Sequence, residues 1–476
     1  MRLIPALILT ALALMCPRPV QARVAAFDII SRTDVAYGYE LIVGKLHLAE
    51  RPNTPANRAI VDLELAPVDG NGEVRATSDI VIVHPKDPSK SNGAVIVEVN
   101  NRGGKGMVWH LNQAPHPASM ASNTYWGDGF LEKHGFTMMW VGWQWDVPQE
   151  PGLMGLHAPV VYDHGKTITG MIHSDFHVDS AQASHEIGDR GHTPYAVANE
   201  NDPANVLTWR DDVLSQRHVI AREQWRFVDH GRNVALNGNF VPGKIYELVY
   251  RAKDPVVTGL GFAAERDAVS WLKHDPSAPV HVAEAYGYGI SQSARFLRQM
   301  LYDGFNADQQ GRIVFDGLMP IVSGAALGGF NVRFGQPSRD AAAFSSFFYP
   351  VDIPPFDDVT LLSHGGATAT SAKIMYIWTS HEYYGRNAAL MTSSEDGTHD
   401  LATPPNVRYY AVMGGEHVPR VQPILQPGMR YALNPLDYTW IERPLLLRLQ
   451  AWVRSDTMPP ANRYPRIANG TLVPAG

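Results

Sequence analysis

The segment Gly287-Tyr288-Gly289-Ile290-Ser291-Gln292-Ser293-Ala294-Arg295 sets a serine between a β-prone run and an apolar helical pattern. A serine hydroxyl becomes a nucleophile only when a base takes its proton and the chain presents it clear of its surroundings. A sharp strand-to-helix turn does the presenting, and it needs small residues because strand and helix nearly touch there. Gly289-Ile290-Ser291-Gln292-Ser293 has the G-x-S-x-G form except that Ser293 stands in place of the last glycine. Two plainer readings compete. A dinucleotide-binding turn, G-x-G-x-x-G, fails because Gln292 occupies its third glycine position. Ordinary packing, with Ser291 merely capping a helix, stays open.

Activating Ser291 calls for a histidine and a carboxylate to orient it. His417 follows the β-prone run Val407–Met413 within Gly414-Gly415-Glu416-His417, and Glu382 follows the run Lys373–Trp378 within Thr379-Ser380-His381-Glu382. Serine, acid and histidine each fall just past the end of a predicted strand, where sheets of this kind build their sites. Asp396, Asp400 and Asp316 compete for the acid. The first two read as solvated turn residues, and Asp316 as a structural ion-pair partner. Two backbone N–H groups must also face the developing oxyanion. Gln292, directly after the nucleophile, is one expected donor. Arg102 or Gly103, in the glycine-rich turn Asn101-Arg102-Gly103-Gly104, is the other, with an ordinary turn as the alternative.

Other chemistry-bearing residues read as structural. Trp140, Trp143 and Trp145 are expected in the core and the site wall and not as a sugar platform. His185, Glu186, Asp189 and His192 lack the H-E-x-x-H spacing of a zinc site and read as loop residues. Arg295 and Arg298 are expected to form structural ion pairs.

The elements that must position these groups alternate between strands and helices. Ala94–Val99 and 136–143 are continuous apolar runs suited to a sheet covered on both faces. Leu260, Ala264, Ala268 and Leu272 recur every four residues as one helical face, and further strands are predicted at 280–286 and 313–319. A helix is expected to open at Pro444, where a missing N–H costs nothing. Residues 23–85 read as short strands and turns, with β-rich pieces at 39–43 and 59–63. A polar stretch of about 146–254 interrupts the alternation as an insertion, and about 323–370 reads as a second cap segment. The expected class is α/β with a mostly parallel sheet, N-terminal β decoration and a lid-like insertion. No repeat or linker divides residues 23–476, so one elaborated domain is expected.

At the N-terminus Arg2 precedes an apolar run from Leu3 to Cys16, and Val20-Gln21-Ala22 supplies small residues. That layout predicts a signal peptide over residues 1–22 and a periplasmic or secreted mature chain. The alternatives are an uncleaved anchor and lipid attachment at Cys16, the chain's single cysteine. Cleavage after Ala22 leaves no cysteine, which excludes disulfides, thiolate catalysis and cysteine-based metal sites together. Removing Arg2 and Arg18 takes the formal charge from -7 to -9, and no basic run points to nucleic acid or an anionic membrane. No membrane span is expected in the mature chain.

Ser291-Gln292-Ser293-Ala294-Arg295-Phe296-Leu297-Arg298 resembles the G-x-S-Q-S-G-R-F-L-R segment of a bacterial family known as alpha/beta hydrolase domain proteins. Val99-Asn100-Asn101-Arg102-Gly103-Gly104-Lys105, Glu382-Tyr383-Tyr384-Gly385-Arg386 and Pro459-Pro460-Ala461-Asn462-Arg463 resemble other blocks of it. Ala294 departs from the family's glycine. The resemblance implies an α/β-hydrolase fold with Ser291 as nucleophile, supports Glu382 and His417 as partners, and leaves the substrate open. A more distant similarity to glucuronoyl esterases, which carry a basic residue where Gln292 stands, hints at ester substrates. The expectation is a serine hydrolase of carboxylic esters, small or carbohydrate-linked, working without metal or organic cofactor. A peptidase or amidase, an acyltransferase, and an inactive binding protein on the same scaffold are the alternatives.

Overall fold

All six residues of Ala94–Val99 are buried, because both faces of the strand they form are covered. Val95, Val97 and Val99 join one apolar layer and Ala94 and Ile96 the other. The computed structural model describes residues 24–115, 119–339, 348–425 and 429–473. The predicted signal peptide, residues 1–22, lies outside the described residues.

The large sheet is built from β1 (Val24–Val35), β2 (Tyr39–Glu50), β3 (Val74–Pro85), β4 (Ala94–Val99), β5 (Thr137–Val141), β6 (Glu284–Ile290), β7 (Gly317–Ile321), β8 (Lys373–Thr379) and β9 (Val407–Val412). Their spatial order is β1-β2-β3-β5-β4-β6-β7-β8-β9, and the short strand Leu156–His157 pairs with β3. Contacts from β5 through β9 are parallel. The N-terminal strands join antiparallel. Parallel strands need long crossovers, and five helices matter for the site: α1 (Met107–Asn112), α2 (Leu260–His274), α3 (Gln292–Tyr302), α4 (Ser380–Gly385) and α5 (Thr439–Ser455).

Register places the functional segments side by side. Gly289 pairs with Val99 on β4 and with Pro320 on β7, Ile321 pairs with Ile377, and Thr379 pairs with Val412. The carboxyl ends of β4, β6, β8 and β9 therefore open on one edge.

Several expectations change in the structure. The N-terminal strands are twelve residues long each and not short. Residues 59–63 form turns, because Asn331 occupies their backbone, donating to Ala59 O at 2.7 Å and accepting from Val61 N at 3.0 Å. The strands predicted at 280–286 and 313–319 lie at Glu284–Ile290 and Gly317–Ile321, so β6 runs straight into Ser291. Helix α2 is buried throughout 260–272, packing on β1, β5 and β6 of the sheet while its Arg266 Nη1 also donates to Ala56 O at 2.8 Å. Its Arg266 is consumed internally by Glu50 and Asp267, at 3.1 and 2.8 Å. Helix α5 opens at Thr439, placing Pro444 in its interior. The carbonyl deprived of a donor belongs to Trp440, whose 63% exposure leaves that side to solvent.

Between β5 and α2 lie a four-stranded antiparallel sheet, with Thr169–Phe176 and Ile245–Lys253 adjacent, and a three-stranded sheet containing Asn233–Phe240. They share an apolar cluster of their own around Phe176, Phe240, Leu248 and Tyr250. Between β7 and β8 the chain makes the short turn Pro337–Arg339 and the helix Asp358–Gly365.

Candidate active site

Strand β6 ends at Ile290 and α3 begins at Gln292, leaving Ser291 to make the whole turn. Its backbone sits at φ 61°, ψ -115°, and its side chain caps nothing. A non-glycine residue held there costs on the order of 1–3 kcal/mol, which persists only where the surroundings enforce it. Two contacts do so. Ser291 N donates to Ile321 O at 2.9 Å, and Asn101 Nδ2 donates to Ile290 O at 3.0 Å. A Cβ on Gly289 would lie 2.7 Å from Ser293 C and O, so the elbow excludes any side chain there. Ser293 and Ala294 are fully buried in the same crossing. The Ser291 hydroxyl makes no hydrogen bond among the described residues. Hydrogen bonds of this kind often form only with substrate in place.

Glu382 Oε1 lies 2.5 Å from His417 Nδ1. Its other oxygen accepts from Thr379 N at 3.1 Å and from Thr379 Oγ1 at 2.5 Å. Thr379 and Glu382 thereby form a capping box at the start of α4, so one carboxylate both starts the helix and meets the imidazole. Burial pushes the Glu382 carboxyl up, but the hydrogen bond and charge of His417 and the Thr379 donors outweigh it and hold the carboxyl below its usual range. The loop carrying His417 is pinned at three points. Gly414 N donates to Ser380 Oγ at 2.7 Å, Asn434 Nδ2 to Gly414 O at 2.6 Å, and Tyr438 OH to His417 O at 2.8 Å.

Ser291, Gln292, His417 and Arg102 face one cavity of about 500 Å3. Glu382 stands behind His417, fully buried. Gly103 is outside the cavity lining; it packs on Val147 and Met154, where a Cβ would approach to 2.6 Å, and its carbonyl accepts from Met154 N at 3.1 Å. Arg102 and Gly103 both have positive φ, 50° and 79°. Gln292 N belongs to the first turn of α3, where backbone donors have no helical acceptor.

The competing acids are engaged elsewhere. Asp316 accepts from Lys273 Nζ and Ala285 N, both at 2.8 Å. Asp400 accepts from Ile467 N and Ala468 N, and Asp396 from Ser394 and Thr398. None of the three tryptophans lines the cavity; Trp140 and Trp143 are spent on Glu98 and the Asn100 carbonyl. His185 meets Gln182, while Glu186 accepts from Gly191 N.

His381, Glu382 and His417 have ligand atoms within 4.8 Å of one another, a grouping that could hold a metal ion. Both Glu382 oxygens already accept hydrogen bonds, so this carboxylate is committed to His417 and Thr379.

Sequence reasoning missed the segment Pro337-Ser338-Arg339. Gln292 Nε2 donates to Pro337 O, Arg102 Nε to Ser338 O at 2.8 Å, and Ser338 N to Asp146 Oδ2 at 2.9 Å. Arg339 then reaches Asp175 at 3.0 Å. The elbow, the turn after β4 and the insertion are thus tied through three consecutive residues. No local motif marks that segment. Arg190 and Arg386, which also line the cavity, were visible only as Asp189's neighbour and as the last residue of the Glu382 block.

This sheet order and edge define a protein of the α/β-hydrolase fold. The chain belongs to the alpha/beta hydrolase domain family, which matches residues 175–474. No curated protein matches in sequence. Among solved structures, a glucuronoyl esterase from Solibacter usitatus is similar at 10% identity and TM-score 0.37, covering 91% of this chain and 87% of that one. A carbohydrate esterase family 15 glucuronoyl esterase from Caldicellulosiruptor kristjansonii is similar at 12% identity and TM-score 0.34, covering 92% and 81%. The rice cell wall degrading esterase LipA from Xanthomonas oryzae stands at 9% and 0.32, covering 84% and 93%. Likeness at this level transfers neither activity nor substrate. Among the described residues no helix is long and apolar enough to cross a membrane.

Proposed function

We propose that this chain is an exported serine hydrolase that cleaves carboxylic esters through an acyl-enzyme. The observation that carries the reading is the 2.5 Å contact between Glu382 and His417, with His417 facing the same cavity as the strained Ser291. Glu382 fixes the imidazole with its proton on Nδ1, leaving Nε2 to accept the Ser291 proton. Ser291 Oγ attacks the ester carbonyl, and His417 returns the proton to the departing alcohol. Water, deprotonated by the same imidazole, then releases the acid. Gln292 N–H, with a backbone N–H of the Arg102–Gly103 turn, stabilises the oxyanion. None of these steps calls on a metal or organic cofactor. The insertion at about 146–254 and the described parts of the segment at about 323–370 roof the cavity and set specificity. Residues 1–22 direct export to the periplasm or beyond, and the substrate is a small-molecule or carbohydrate-linked ester.

Hydrolysis of matched 4-nitrophenyl esters and 4-nitroanilides tests this reading. Turnover of the esters with a Ser291-dependent burst supports it. Equal or faster turnover of the anilides would make the protein an amidase.

A further inference from the structure

Gln292 and the Arg102–Gly103 turn, whose backbone N–H groups are expected at the oxyanion, come from different parts of the chain, the start of α3 and the loop after β4. Donors of this kind act only if their placement is held to within about 0.5 Å. Helix and strand alone do not fix it, since Ser291 and Arg102 both sit at positive φ, 61° and 50°, in turns. The side chains of Gln292 and Arg102 both end on one short segment. Gln292 Nε2 donates to Pro337 O, and Arg102 Nε donates to the next carbonyl, Ser338 O, at 2.8 Å. Pro337, Ser338 and Arg339 are all buried. The segment is gripped in turn from the insertion and its root. Ser338 N donates to Asp146 Oδ2 at 2.9 Å, Gln144 Nε2 to Ser338 Oγ at 3.3 Å, and Arg339 Nη2 to Asp175 O at 2.8 Å. Asp146 is buried and stands outside the cavity lining. Its own carbonyl accepts from Thr193 N at 2.8 Å, which anchors its backbone as well.

Resting on the ester-hydrolase reading above, we propose that Asp146 is a positioning residue of the oxyanion hole, acting through Ser338 and the two carbonyls that hold Gln292 and Arg102. By fixing Pro337 O and Ser338 O it sets the spacing between the start of α3 and the turn after β4, and so between their backbone N–H groups. Donors set in advance stabilise charge that exists only in the transition state. Loosening them lowers kcat and leaves KM nearly as it was. A misplacement of about 1 Å can cost about a hundredfold in rate. The rival role of the segment is packing alone, joining the insertion to the sheet. That role lowers the share of folded molecules and leaves the rate of each folded one unchanged, so the two can be separated.

The test compares the unaltered protein with Asp146→Ala and Asp146→Asn on 4-nitrophenyl butyrate. Fluorophosphonate titration to completion counts reactive Ser291, so that every rate is expressed per active site. In Asp146→Ala the expected kcat per site falls by about 30-fold, with KM changed by less than about threefold. The inhibition constant of an alkyl trifluoromethyl ketone, which a serine nucleophile converts to a tetrahedral oxyanion, rises by about the same factor as kcat falls. Asp146→Asn, whose amide oxygen still accepts from Ser338 N, recovers about tenfold of the loss. Gln292→Met cuts the tie from the α3 end while keeping its backbone N–H, and it gives the same signature even if Asp146→Ala folds poorly. A kcat per site within about threefold of the unaltered protein in the folded variants, or a loss carried by KM alone, overturns the positioning role and leaves the hydrolase reading intact. An unaltered protein that shows neither turnover nor labelling of Ser291 contradicts the hydrolase reading itself, and the positioning role falls with it.

Discussion

Glu382 and His417 lie 35 residues apart in sequence and 2.5 Å apart in space, carboxylate oxygen to Nδ1. The pairing of β8 with β9 in parallel register, Thr379 opposite Val412, is what brings them together. Each side chain projects from the first few residues beyond its strand. The same edge receives Ser291 from β6, and this shared edge is the physical basis of the proposed chemistry.

Replacing Glu382 by Gln keeps an acceptor for the Thr379 cap but offers an amide N–H to His417. The imidazole proton is then driven to Nε2, where it blocks proton transfer from Ser291. We expect kcat to fall by about 10²–10⁴-fold with little change in KM. Steady-state kinetics on protein checked for its folded signal by circular dichroism measures this. A fall of less than about threefold contradicts the orienting role.

Glu132 gives a pH signature outside the site. Burial pushes its carboxyl up to about 7, with Asn112 Nδ2 as a donor at 2.7 Å. The native form keeps a proton that the unfolded chain releases near the ordinary carboxylate value. Stability therefore falls as pH rises between roughly 4.5 and 7, by a total of about 3 kcal/mol. Glu132→Gln should remove this slope, raising the melting temperature relative to wild type at pH 8 and not at pH 4.5. Melting curves at both values decide it; equal shifts at the two pH values refute the assignment.

Gly289→Ala forces a Cβ to within 2.7 Å of the Ser293 backbone. We expect a loss of about 1–3 kcal/mol of stability together with slower fluorophosphonate labelling, as the elbow opens and Ser291 shifts. Denaturant melts and labelling rates measure the two effects, and unchanged values for both would show that the crossing tolerates a methyl.

Much of this site was legible because it is local in sequence. The buried runs at Ala94–Val99 and Lys373–Thr379 carry their own pattern, and Ser291, Glu382 and His417 each follow a strand by few residues. The elbow announces itself through glycines that packing requires. What stayed hidden depends on distant chain. Residues 59–63 look β-prone, yet Asn331 claims their backbone groups across 272 positions from Ala59. Helix α2 shows one apolar stripe although nearly all of it is buried, since Arg266 is neutralised by Glu50 from β2. The Pro337–Arg339 strap has no signature, because its contacts come from the start of α3, the turn after β4 and the insertion simultaneously. Arg190 and Arg386 meet at the cavity for the same reason.

The most direct measurement is fluorophosphonate labelling of the purified protein followed by peptide mapping. We predict a single adduct on Ser291, absent in Ser291→Ala and slowed by about a hundredfold or more in His417→Ala. A folded protein that takes no label, or that labels at another residue while Ser291 stays free, would contradict the central claim.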